Sequence, residues 1–176
     1  MATGSVNVIT AGPSAGKSST IRELSSRGYR TLPEAARVLF DQRISEGDTP
    51  KEVRQEPDFH EQVEAVDRRI EQYFPEDEPV FLARGLADNL AYRQHFGNAD
   101  DPEYAVVLDE VRDRYDNVFL LDRLDFEDDE VRSEDEEEAQ VLHAKIRKAY
   151  KGLNCTVYEV PVIPVDDRVD YILQRI

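Results

Sequence analysis

The chain has 176 residues, 40% hydrophobic and 34% charged, with 38 acidic against 22 basic side chains and a formal net charge of −16. That length suits a single domain spanning residues 1–176, with a five-stranded sheet covered by helices, and the acidic balance speaks against nucleic acid, whose phosphates call for a basic face. No apolar run approaches a membrane span, no basic leader precedes the first predicted strand, and one cysteine, Cys155, precludes an intrachain disulfide; a cytoplasmic protein with Cys155 as a buried small hydrophobe is expected. Only five of the bases are lysines (Lys17, Lys51, Lys145, Lys148 and Lys151). An acidic, lysine-poor surface fits a halophilic protein from a salt-rich cytoplasm, where screening relieves self-repulsion; an ordinary acidic protein is the alternative.

In chain order, Val6 to Thr10 is a β-branched run that reads as a buried strand. Ala11-Gly12-Pro13-Ser14-Ala15-Gly16-Lys17-Ser18-Ser19 follows, then helical spacing from Thr20 to Leu24 and a turn at Ser26-Arg27-Gly28. Strand, glycine-bearing loop, Gly-Lys-Ser and helix are the context of a phosphate-binding P-loop. Glycines let the backbone fold tightly enough to aim amide N–H groups at phosphate oxygens. Gly12, Pro13, Ser14, Ala15, Gly16, Lys17, Ser18 and Ser19 are therefore candidate ligands of a nucleoside triphosphate. Lys17 would add a charge on the outer phosphates, and the Ser18 hydroxyl would ligate Mg²⁺. The first glycine of the G-x-x-x-x-G-K-[ST] pattern is replaced by Ala11, with Gly12 one step later.

Tyr29 to Leu32 reads as a second strand, and Pro33 opens a helix to about Ser45. Between Pro57 and Phe74 the apolar residues Phe59, Val63, Val66, Ile70 and Phe74 recur at helical steps, predicting one long helix. Val80-Phe81-Leu82 is the third strand; Ala83-Arg84-Gly85 and a helix through Leu86, Leu90 and Tyr92 follow. The remaining elements are a helix from Glu103 to Arg114, a strand from Val118 to Leu121, a charged loop, a helix from about Asp135 to Tyr150, a strand from Thr156 to Val160, and a closing helix from Val165 to Ile176. Alternating strands and helices predict a parallel sheet covered on both sides.

Taken together and in order, the P-loop strand and AGPSAGKSS, GYRTLPEAAR, VFLARGLADNLAY, VFLLDR, RSEDEEEAQVLHAKIRKAY and VPVIPVDDRVDYIL resemble the NadR-like AAA-domain P-loop ATPases, close in fold to the nucleoside and nucleotide kinases. The likeness runs over nearly the whole chain. It implies a three-layer α/β fold, a parallel sheet in the order 2-3-1-4-5, a helical lid over about residues 122–138, and a nucleotide at the carboxyl ends of the strands. The cofactors it implies are ATP and Mg²⁺, and the absence of an Asn/Thr-Lys-x-Asp motif favours ATP over GTP.

The same resemblance singles out further residues. Small-molecule kinases of this fold often carry an acid where Glu34 stands, accepting the acceptor's hydroxyl proton or organising Mg²⁺ through water; a first-turn glutamate stabilised by the helix dipole is the structural alternative. The resembling proteins usually read Asp-Arg-Gly after the third strand, the Asp on Mg²⁺ and the Arg on phosphate or substrate. Here Ala83 replaces the acid before Arg84 and Gly85, leaving Ser18, Glu34 and Asp88 as candidate metal ligands. Arg132 matches a lid arginine that closes over the phosphates, with Arg123 a second candidate, while Ser133-Glu134-Asp135-Glu136 also reads as a capping box. Lys17, Glu34, Arg84 and Arg132 are thus the candidate catalytic residues.

His60, His95 and His143 fall on three predicted helices without zinc spacing. Tyr92, Phe96, Tyr104, Tyr115 and Tyr150 are spaced as helix faces and are expected in the core, while Phe59 and His60 could line an acceptor pocket. Two functions remain open: transfer of the ATP γ-phosphoryl group to a small, hydroxyl-bearing, nucleoside-like metabolite, and a nucleotide-dependent regulatory switch that binds a protein partner. Ala83 also leaves room for a binding module without turnover.

Overall fold

The structure, a computed structural model, describes residues 4–12, 15–49, 52–53, 56–96, 104–122 and 133–176, the last stretch with side chains from 137 onward. Five strands, β1 (Val6–Thr10), β2 (Arg30–Leu32), β3 (Val80–Ala83), β4 (Asn117–Leu121) and β5 (Thr156–Val160), form one sheet in the order β2-β3-β1-β4-β5. Every pairing is parallel, and in mid-sheet Val8 lies between Leu82 and Val118. The order is the expected one: β1 sits centrally, and the chain crosses first to one side of it and then to the other.

Seven helices complete the described fold: α1 (Lys17–Ser26), α2 (Ala35–Glu46), α3 (Phe59–Ile70), α4 (Leu86–Phe96), α5 (Tyr104–Glu110), α6 (Ser133–Lys151) and α7 (Val165–Leu173). Because strand side chains alternate between faces, each central strand feeds two cores. Val8, Val118 and Leu120 pack with Leu86, Ala91, Leu142 and Ile146 of α4 and α6. Ile9, Phe81, Phe119 and Leu121 pack with Leu24 of α1 and Val169 and Ile172 of α7. A smaller cluster of Ala35, Leu39 and Val63 joins α2 to α3.

Three helices end earlier than periodicity alone implies. The long helix expected to reach Phe74 stops at Ile70 and tightens into a 3₁₀ turn at Glu71–Tyr73. There the Glu71 carboxylate is drawn inward, accepting hydrogen bonds from Leu86 N (3.1 Å), Tyr115 OH (2.8 Å) and Arg114 Nη1 (3.0 Å). The helix expected to run to Arg114 ends at Glu110, and i→i+3 turns carry Tyr115 beneath the sheet. The last helix ends at Leu173 rather than running to Ile176.

Candidate nucleotide and acceptor site

Thr10 ends β1, Ala11 and Gly12 are buried, and α1 starts at Lys17. Gly16 takes φ +80°, a left-handed conformation that L side chains rarely adopt, and a Cβ there would come within 2.6 Å of Arg168 Nη1. Its carbonyl accepts from Thr20 N (3.1 Å), Thr20 Oγ1 (3.0 Å), Ser19 Oγ (2.7 Å) and Arg168 Nη1 (3.2 Å). The Ser19 hydroxyl is thereby turned back into the loop. Gly12 N donates to His143 Nδ1 at 3.3 Å, and a Cβ on Gly12 would meet His143 Cβ at 3.2 Å. The loop is therefore held from two sides, by α6 and by α7. Pro13 and Ser14 lie outside the described residues.

The groups expected to meet phosphate and metal fit that task. No side chain caps α1 and its first turn holds no acid, so amide donors at its N-terminus remain for an anion. Ser18 is exposed, and among the described residues its hydroxyl has no protein partner. Lys17 Nζ lies 2.5 Å from Glu34 Oε2, and Arg84 Nε lies 3.4 Å from Glu34 Oε1. Glu34 is the N-cap residue of α2, yet its carboxylate does not cap that helix; it points at the two cations. This geometry favours a role at the phosphate loop over a dipole-stabilised first-turn acid. Burial pushes the Glu34 carboxyl up, but the charges of Arg84 and Lys17 and the Lys17 hydrogen bond outweigh it, so its pKa is lowered and it stays ionised.

Arg84 has φ 72° and, among the described residues, is the single non-glycine with positive φ. A left-handed conformation at a bulky residue costs on the order of 1–3 kcal/mol and persists where the surroundings impose it. Here its guanidinium stacks 4.5 Å above the Tyr92 ring and faces Glu34. Its Nε is buried with no hydrogen-bond partner, so the cation retains donor capacity. Ala83 closes β3 and lines the same cavity as Lys17, Ser18 and Glu34. The cavity, about 830 Å³, runs from the phosphate loop along the flank of α1 toward Arg22, Arg37, Phe40 and Phe59.

Asp88, expected among the metal ligands, is instead turned into the core at 1% exposure. Its two oxygens accept from the hydroxyls of Thr10 and Tyr150 and from Gly85 N (3.0 Å). Three donors hold it as a tie between β1, α4 and α6, away from the cavity lining. Phe59 lines the cavity but His60 does not; His60 is placed against Phe59, Tyr92 and Phe96. Tyr115 and Tyr150 are buried as expected, whereas Phe96, the last residue of α4, is 59% exposed. Cys155 is half-buried, and burial pushes its thiol up to about 11. Arg123, Arg132 and most of the expected lid lie outside the described residues.

Two partners of the loop were not legible as such. Arg168, 4% exposed, sits in the VPVIPVDDRVDYIL stretch, where nothing in the spacing says that its side chain reaches Gly16 and Thr20. His143 lies far from Gly12 in sequence and meets it only when α6 packs on the sheet. The acids Asp67 and Glu71 likewise read as the polar side of an amphipathic helix, but both are buried. Burial and the neighbouring Glu71 and Asp88 charges push Asp67 up to about 8.

Strand order, loop and helix together define the class: a P-loop protein with the three-layer fold of nucleoside- and nucleotide-kinase-like enzymes. A family profile described as an AAA domain matches residues 6–168, and the chain belongs to that family. Among solved structures the chain is similar to a NadR protein in complex with NR (TM-score 0.69, 14% identity, 97% of this chain and 50% of that one). It is also similar to thymidylate kinase from Ehrlichia chaffeensis (TM-score 0.66, 11% identity, 98% of each chain). Shikimate kinase from Aquifex aeolicus gives a TM-score of 0.56 at 17% identity, over 96% of this chain and 94% of that one. At such identities the likeness is one of fold. No curated relative matches, and among the described residues no helix is long and apolar enough to cross a membrane.

Proposed function

We propose that this protein is an ATP-dependent kinase that transfers the γ-phosphoryl group to a hydroxyl-bearing small metabolite. The observation that carries this reading is the cavity of about 830 Å³ that opens beside Lys17 and Ser18, with Glu34 in its lining. A nucleotide switch needs no acceptor-sized space next to its phosphate loop. Phosphoryl transfer depends chiefly on positioning and charge neutralisation, and the residues here supply both. The α1 N-terminus and Lys17 hold the outer phosphates, and Arg84 lies within reach of the developing charge. Ser18 and Glu34 would hold Mg²⁺, directly or through water. The chemistry a metal held there would supply is neutralisation of part of the phosphate charge.

Without nucleotide, Lys17 is neutralised by Glu34. When Lys17 turns to phosphate, Glu34 is released toward the cavity. There Arg84 still faces it (3.4 Å) and favours its ionised form, while the loss of Lys17 lets its pKa rise, and the freed carboxylate oxygen can accept a hydrogen bond from an acceptor hydroxyl. The acceptor oxygen forms a bond to the γ-phosphorus, the bond to the ADP oxygen breaks, and the hydroxyl proton passes to Glu34 or to solvent. The test is acceptor-dependent formation of ADP across a panel of hydroxylated metabolites in high salt. ATP binding with no acceptor-dependent turnover would overturn the kinase reading. That outcome would favour a nucleotide-binding module without turnover, the reading that Ala83 keeps open by replacing an acid at the end of β3.

A further inference from the structure

The cavity beside the phosphate loop has a charge pattern opposite to that of the whole chain. The protein carries 38 acids against 22 bases, yet among the described residues three cations, Lys17, Arg22 and Arg37, line the cavity with a single carboxylate, Glu34. That carboxylate is already engaged by Lys17 and Arg84. Arg22 is exposed and, among the described residues, makes no hydrogen bond or ion pair. Arg37 meets Asp41 through Nε alone, at 3.0 and 3.1 Å, leaving both terminal nitrogens for another partner. Most other arginines in this acidic protein sit in ion pairs, among them Arg27, Arg43, Arg68 and Arg114.

Position along the helix separates this cationic end from the nucleotide end. Lys17 and Arg22 stand five residues apart on α1, about 7–8 Å at the rise of an α-helix. An anion held between Arg22 on α1 and Arg37 on α2 is therefore a different group from the phosphate held by Lys17. The lining also includes the apolar Ile21, Phe40 and Phe59 and the hydroxyl of Ser25, while the Ser26 hydroxyl is taken by Glu23. A ligand that fits has a flat apolar body, an anion at one end and a hydroxyl at the other.

We propose that this trench is the acceptor site and that its acceptor is an anionic metabolite, a phosphate monoester or a carboxylate, whose charged group is held by Arg22 and Arg37 while its hydroxyl faces Glu34. The acceptor role rests on the kinase reading; recognition of the anion does not. Arginine forks match both oxyanions in a bidentate manner, so the choice between the two sources falls to the experiment.

The full-length chain, saturated with a non-hydrolysable ATP analogue, is titrated calorimetrically with two matched pairs: a nucleoside 5′-monophosphate against its nucleoside, and an aromatic hydroxy acid against its methyl ester. In at least one pair the charged member is expected to bind about tenfold tighter or better, and the pair that discriminates identifies the anion. The Arg22→Ala/Arg37→Ala double variant, checked by thermal melting to be folded, should bring that preference close to unity. Equal affinities within both pairs, no binding of either anion, or a preference that survives the double variant would each overturn the proposal. Anion preference without phosphoryl transfer from ATP would leave the site standing and sink the kinase reading. Transfer to neutral acceptors alone would keep the kinase and overturn the anion site.

Discussion

Two groups of carboxylates lie on neighbouring parts of this molecule and behave oppositely. Glu34 stands at the edge of an open cavity with Lys17 and Arg84 on its two oxygens, and those charges hold its pKa down against partial burial. Asp67 on α3, Glu71 on the 3₁₀ turn and Asp88 on α4 are buried, and desolvation is the largest influence on each and pushes each pKa up. Glu71 shows how strong that influence is, since even the Arg114 guanidinium does not reverse it. The same chemical group is thus a charged, exchangeable partner in one place and a fixed structural acceptor in the other. What differs is the access of water and the number of donors already committed.

If Glu71 is a structural acceptor, removing it should be the most damaging change. Glu71→Ala would remove the buried acceptor shared by Leu86 N, the Tyr115 hydroxyl and Arg114, leaving Leu86 N only the Tyr115 oxygen (2.9 Å) and Arg114 only Glu110 (3.5 Å). Breaking a buried pair of this kind costs about 3–5 kcal/mol, read as a lowered denaturant midpoint. A loss below about 1 kcal/mol would mean that water replaces the carboxylate there, and the contrast between the regions would dissolve.

On the open side, Lys17→Ala should leave the melting temperature nearly unchanged while lowering ATP affinity about a hundredfold, close to 2.7 kcal/mol. Calorimetric titration gives the answer, and unchanged affinity would remove the phosphate role of the loop.

A smaller effect is expected at Ala83, which ends β3 on the lining of the same cavity as Lys17, Ser18 and Glu34. Ala83→Asp should raise turnover with ATP and Mg²⁺ at least tenfold, about 1.4 kcal/mol of transition-state stabilisation, with little change in nucleotide affinity. Equal turnover by both forms in a steady-state assay would show that Ser18 and Glu34 hold the metal without help.

The gentlest probe is pH. Asp67, pushed up to about 8 from an ordinary 3.8, keeps its proton in the folded state where the unfolded chain has lost it. Its stabilising contribution is complete below the ordinary value and is lost as pH rises toward about 8. Melting points of the wild type should therefore fall across that window relative to those of Asp67→Asn, which keeps an oxygen for the Asn89 amide. Parallel curves for the two proteins would place Asp67 among ordinary ionised acids.

The open region was largely legible before any coordinates. Gly16-Lys17-Ser18 between a β-branched strand and a helix calls for a left-handed glycine and an uncapped helix start, and both are present. Arg84 was singled out as a contact to phosphate or substrate, but neither its pairing with Glu34 nor its strained backbone was anticipated. The buried region was not legible, because Asp67 and Glu71 follow Val63 and Val66 at spacings that equally describe a solvated helix face. Asp88 misled for the same reason: an acid soon after Arg84-Gly85 reads as a metal ligand until Thr10, Gly85 and Tyr150 are seen to occupy both of its oxygens.

By itself, the sequence pattern determined the alternation of strands and helices, the parallel sheet and the phosphate loop, whereas the strand order was implied by the family resemblance. The first three follow from local hydrophobic period, short-range turn chemistry and the chirality of crossovers. Only the tertiary structure decided which acids stay ionised, that His143 and Arg168 hold the loop from opposite sides, and that Arg22 and Arg37 share one cavity. Those outcomes depend on burial and on partners far apart in the chain, and a pattern of neighbouring residues carries no information about either.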